Sequence, residues 1–84
     1  MYEVRLHREA ERSFRKLHEP LRARVVAAID ALAVEPRPAG ATRLAGRDDY
    51  RIRVGDHRIV YAIDDATATV VIARISHRRE VYRR

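Results

Sequence analysis

Tyr50-Arg51-Ile52-Arg53-Val54-Gly55-Asp56-His57-Arg58-Ile59-Val60-Tyr61 is the stretch whose reading decides the fold. Tyr50, Ile52 and Val54 alternate with Arg51 and Arg53, and Ile59, Tyr61 and Ile63 alternate with Arg58, Val60 and Ala62. A period of two marks strands, and Gly-Asp between two such runs marks a two-residue hairpin loop. With Gly55 and Asp56 in the loop, the register follows. Val54 opposes His57, Arg53 opposes Arg58, Ile52 opposes Ile59, Arg51 opposes Val60 and Tyr50 opposes Tyr61. Side chains alternate across a strand, so the apolar pairs share one face and Arg51, Arg53 and Arg58 share the other. Two like charges placed directly opposite are destabilising, which makes Arg53 against Arg58 the most informative pair in the chain.

Working outward, Ala68 to Ser76 is rich in Val, Ile and Thr and reads as a central strand, with Asp64 to Thr67 as the connecting turn. His77 to Arg84 is a charged tail with room for one helical turn. Upstream, Leu21, Val25, Ile29 and Leu32 mark one face of a helix that Ala28 and Val34 widen. Pro20 suits its first turn, and Glu35-Pro36 ends it because a residue before proline avoids the α region. Arg37 to Gly40 is a loop. Ala10, Phe14 and Leu17 recur at helical spacing in a shorter helix, and Tyr2, Val4 and Leu6 alternate in a short first strand. The expected order is β-α-α-β-β-β. This is an α+β fold in which an antiparallel helical hairpin covers one face of a small, mainly antiparallel sheet. The other face stays open.

Composition bounds the rest. The chain has 84 residues, enough for one domain (1–84) and too few for two. It has no Cys, which excludes disulfides and cysteine-based metal sites or nucleophiles. No stretch is apolar enough to span a membrane, and Met1 to His7 lacks the order of a signal peptide. The expectation is a cytoplasmic protein without membrane contact. The formal net charge is +6, and of 18 basic residues only Lys16 is a lysine. Such a charge favours a polyanionic partner, the alternative being a well-charged soluble surface.

The arginine face admits two readings. Asp48, Asp49 and Asp56 lie near enough in sequence to pair with the guanidinium groups, or the groups point into water. Alternatively, Arg51, Arg53 and Arg58 form a rigid cluster shaped for phosphate oxygens, which guanidinium grips with two parallel hydrogen bonds. The tail adds His77, Arg78, Arg79 and Tyr82 directly after the central strand. Histidine titrates near neutrality and serves as a proton shuttle. Tyr82 can stack on a base, join proton transfer, or anchor the tail on the sheet. His7, His18 and His57 show no ligand spacing, so no metal and no cofactor is expected.

These residues resemble a known family. Arg43-Leu44-Ala45-Gly46, the Tyr50–Tyr61 hairpin and the ending His77-Arg78-Arg79-Glu80-Val81-Tyr82 are similar to the RelE/ParE superfamily of toxins from type II toxin–antitoxin systems. The resemblance extends over essentially the whole chain. It implies a ribosome-dependent mRNA endoribonuclease of the RelE branch that cleaves through 2′-OH attack without a metal. Arg51, Arg53, Arg58, His77, Arg78 and Tyr82 would form the catalytic set, and Arg43, Arg47, Arg79 and Arg83 would be further RNA contacts. RelE carries lysines at the places of Arg51 and Arg53. Arginine stays protonated, so proton transfer falls to His77 or Tyr82. The implied partners are the ribosome with its mRNA and a RelB-like antitoxin, acidic and partly disordered. A ParE-like toxin that poisons gyrase without cutting RNA shares the fold and stands as the alternative, beside a small RNA-binding module with no toxicity.

Overall fold

The computed structural model describes residues 1–44 and 49–81. In chain order the elements are β1 (Glu3–Leu6), α1 (Arg8–Arg15), α2 (Leu21–Val34), β2 (Thr42–Arg43), β3 (Asp49–Val54), β4 (His57–Asp64), β5 (Thr69–His77) and α3 (Arg78–Val81). The strands form one sheet in the order β1-β5-β4-β3-β2. β1 runs parallel to β5, and every other pairing is antiparallel. The α+β arrangement is the expected one, with the two-residue strand β2 added at the edge.

Local chemistry sets the helix ends. His7 caps α1, its Nδ1 accepting the Glu9 N–H at 3.2 Å. Glu9 and Glu11 occupy the first turn and Arg12 and Arg15 the last, the charge order that suits the helix dipole. α2 starts after Pro20, and the Glu19 carboxylate accepts the Ala23 N–H at 3.0 Å. It stops at Glu35, before Pro36. The Arg22 guanidinium lies 4.8 Å from the Phe14 ring centroid and links the helices.

The core lies between helices and sheet. Ala10 from α1 and Val25, Ile29 and Leu32 from α2 meet Val54, Ile59, Tyr61, Ile63, Val70, Ile72 and Ile75 from the strands. Val34 departs from the expected apolar face and is 71% exposed. It stands two residues past Leu32, which is about 200° around the helix and on its outer side.

The β3–β4 hairpin has the register read from its sequence, Val54 against His57 through Tyr50 against Tyr61. Gly55 takes a φ of +60°, the left-handed region where a Cβ is penalised. The β4–β5 ladder is less regular. Tyr61 pairs with Ile72, but the next pair is Val60 with Arg74, so Ala73 is an extra residue in β5. Above this bulge Val70 and Ile72 face the core; below it Ile75 does.

Candidate functional site

The face opposite the helices carries the arginines. Arg51 opposes Val60, Arg53 opposes Arg58, and Arg58 also opposes Ser76 across β4 and β5. Arg51, Val60, Ala62, Val71 and Arg74 are partly or fully exposed here. Arg58 differs: at 8% exposure it is, among the described residues, the only buried charged side chain. A guanidinium held that far from water, at the centre of a sheet, is fixed in direction as a surface arginine is not.

Two cavities meet at Arg58. One is a nook of about 20 Å³ lined by Arg53, Gly55, Asp56, His57, Arg58 and Arg78. The other is a cleft of about 180 Å³ lined by Leu44, Arg51, Arg58, Val60, Arg74 and Ser76. Arg78 reaches the nook because its backbone N–H donates to the Asp56 carbonyl at 2.7 Å, which ties the start of α3 to the hairpin loop. Among the described residues, no hydrogen bond or ion pair joins the side chains of Arg51, Arg53, Arg74 or Arg78 to a carboxylate. The cavities thus gather guanidinium groups at one end of the open face, a chemistry that suits an oxyanion such as phosphate.

The bulge decides which tail residues join this face. An unbroken alternation from Val70 and Ile72 would put His77 beside the arginines and Arg74 in the core. The extra Ala73 exchanges them. His77 instead pairs with His57 on the helix side of the sheet, the rings 5.0 Å apart and nearly perpendicular at 82°. Its Nδ1 accepts the Arg79 N–H at 3.0 Å and so caps α3. The same helix-side end has a cavity lined by Ser13, Lys16, Leu17, His57 and Ile75.

Of the other residues singled out from sequence, Arg43 opposes Tyr50 and so lies on the helix side of β2, away from Arg51. Arg79 is exposed on α3 and lines neither arginine cavity. Arg47, Tyr82 and Arg83 lie outside the described residues. Arg74 was missed by sequence reading. The signal for it was present: the apolar phase switches from Val70 and Ile72 to Ile75, the mark of one inserted residue.

At the other end of the sheet a second polar group is fully partnered. The Arg37 guanidinium meets both Asp65 carboxylate oxygens, at 3.2 and 3.0 Å, and donates from Nε to the Tyr50 hydroxyl at 3.0 Å. The Tyr2 hydroxyl donates to Asp65 Oδ1 at 2.6 Å. Tyr50 stacks on Tyr61 at 5.9 Å, and the buried Tyr61 hydroxyl donates to the Pro36 carbonyl at 2.7 Å. The Arg37 and Tyr2 hydrogen bonds hold the Asp65 carboxyl below its ordinary value. Burial pushes the Tyr61 phenol up to about 12.

Relatives share this architecture. Residues 4–82 match the family described as the ParE toxin of type II toxin–antitoxin system, parDE. The chain is 40% identical over 87 residues to toxin RelG of Mycobacterium tuberculosis, spanning 99% of this chain and 98% of that one. It resembles the toxin–antitoxin complex RelBE2 of the same organism with a TM-score of 0.78 and 34% identity, over 90% of this chain and 96% of the other. The intact RelBE complex of Escherichia coli matches with a TM-score of 0.82 at 20% identity, over 92% of this chain and 96% of that one, a likeness of fold alone.

Proposed function

This chain belongs to the ParE toxin family of type II toxin–antitoxin systems, and on that premise we propose that it is a RelE-like toxin that cuts mRNA on the ribosome. The observation that carries the reading is the meeting of two arginine-lined cavities at the buried Arg58. A metal-free phosphoryl cleavage needs fixed cations where charge develops, and a sheet holds them with little reorganisation.

In this reading Arg53, Arg58 and Arg78 take the non-bridging oxygens of the scissile phosphate in the nook, and Arg51 holds the backbone beside it. The ribose 2′-OH attacks the adjacent phosphorus. A 2′-O–P bond forms, the P–O5′ bond breaks, and the products are a 2′,3′-cyclic phosphate and a free 5′-OH. One proton leaves the 2′-OH and one reaches O5′. Arginine does not supply these transfers, because it stays protonated. With the His77 ring turned toward His57 on the far side of β5, Tyr82 is the stronger of the two proton carriers.

The partner that silences the toxin is an acidic, partly disordered RelB-like antitoxin, whose carboxylates would cover the arginine face. The work site is the ribosome and its mRNA, hence the cytoplasm. Induction of the toxin without its antitoxin, followed by primer extension on translated messages, tests this reading. Discrete cuts in translated mRNA are expected. DNA breaks with intact mRNA would instead establish the gyrase-poisoning reading, which the ParE description of the matching family favours. Growth without arrest would leave a non-toxic RNA-binding module.

A further inference from the structure

The cleft beside Arg58 is unlike the nook in both size and lining. It is about 180 Å³ against about 20 Å³. Leu44 and Val60 give it an apolar surface, Arg51, Arg58 and Arg74 surround that surface, and among the described residues no carboxylate lines it. A phosphate alone would leave the apolar part wetted and unused. A hydrophobic side chain alone would leave the Arg51 and Arg74 guanidinium groups without an anion. A nucleobase meets both demands: it is flat and apolar on its faces, and it is carried on a backbone whose phosphates approach the surrounding cations. Guanidinium planes also stack on unpaired bases. The volume is below the roughly 300–1,000 Å³ of drug-sized pockets, which suits one base rather than several.

We propose that Arg74, with Arg51, Leu44 and Val60, forms a seat for one nucleobase of single-stranded RNA next to the phosphate held at Arg58. The bulge at Ala73 makes the seat, because it turns Arg74 to this face opposite Val60. Arg74 contacts the base and sets preference; it is not needed to hold the scissile phosphate. The inference takes its RNA target from the proposed function but makes a separate, non-catalytic prediction.

The test uses fluorescent single-stranded RNA oligonucleotides, one intact and others with a single abasic site at successive positions, titrated at several salt concentrations. Arg74 is exposed, so Arg74→Ala and Arg74→Lys should fold as the parent does, which circular dichroism verifies. The wild-type protein should lose about tenfold in affinity when the abasic site falls at one particular position. Arg74→Ala should bind the intact RNA as weakly as the abasic one, with an unchanged salt slope. Arg74→Lys should not restore the difference, since an ammonium lacks a plane to stack. The proposal is overturned if wild-type protein binds none of the RNAs or shows no abasic effect. It is also overturned if Arg74→Ala weakens intact and abasic RNA equally and lowers the salt slope by about 0.7, the mark of a phosphate contact. A variant that loses poly-glutamate peptide binding while keeping base-dependent RNA binding would assign Arg74 to a protein partner instead. Base-dependent binding by a protein that cuts no translated mRNA would remove the nuclease reading and leave the seat. Cutting without base dependence would do the reverse.

Discussion

Arg37 and Arg58 are the same side chain put to opposite uses at the two ends of one sheet. Arg37 is exposed enough to meet water, yet its donors go to Asp65 and Tyr50, and Asp65 in turn accepts from Tyr2. That group clasps the residue before β1, the loop after α2, β3 and the β4–β5 turn to one another. Arg58 is buried and faces Arg53 across the hairpin, with Arg78 lining the same nook. Facing like charges work against the fold. The clasp is an arrangement that spends its charges on internal contacts. The arginine face accepts repulsion, and among the described residues the side chains of Arg53 and Arg78 make no ion pair with a carboxylate.

The comparison breaks most sharply at Arg53. Arg53→Glu replaces a like-charge pair by an opposite one, so stability should hold or rise by about 0.2–1 kcal/mol. Cleavage of ribosome-bound mRNA should fall by about 10²–10³. Thermal unfolding beside a cleavage assay measures both, and a variant that is destabilised and still active would undo the contrast. At the clasp the pattern should invert. Tyr61→Phe removes the hydroxyl that meets the Pro36 carbonyl and should cost about 0.5–1.5 kcal/mol in a denaturant titration, with cleavage unchanged.

Two smaller effects are pH-dependent. The folded Tyr61 phenol titrates at about 12 against an ordinary 10.0, so the fold favours its neutral form. Its contribution is complete below pH 10 and is lost as pH rises through that window, and Tyr61→Phe should flatten the alkaline fall in stability. Asp65 is shifted the other way. Its folded value lies below the ordinary 3.8, so its contribution is present above that pH and is lost as pH falls through the lowered value. Asp65→Asn should flatten the acid limb slightly, with the smallest change of the set because the pair is exposed.

The same two regions mark what could be read from sequence. The hairpin is legible because Gly55-Asp56 punctuates two alternating runs, and the register that follows puts Arg51, Arg53 and Arg58 on one face. α2 was legible from Val25, Ile29 and Leu32 and from its stop at Glu35-Pro36. The clasp was not. Arg37, Tyr2 and Asp65 are far apart in sequence, and nothing local marks them as neighbours. The bulge was half hidden. One extra Ala73 has no distinctive composition, and only the step from Ile72 to Ile75 betrays the change of phase. That residue exchanges Arg74 for His77 on the open face, which is why the histidine expected there caps α3 instead. The facing of Arg43 was not legible for a similar reason, since β2 is two residues long and its orientation follows from the β3 register.

The measurement closest to the central claim is single-turnover cleavage of ribosome-bound mRNA by wild type and Arg58→Ala, with unfolding curves on both because Arg58 is buried. The account predicts wild-type fragments ending in a 2′,3′-cyclic phosphate and a loss of about 10²–10³ in rate for a variant that still folds. A folded Arg58→Ala protein cutting at the wild-type rate would contradict it.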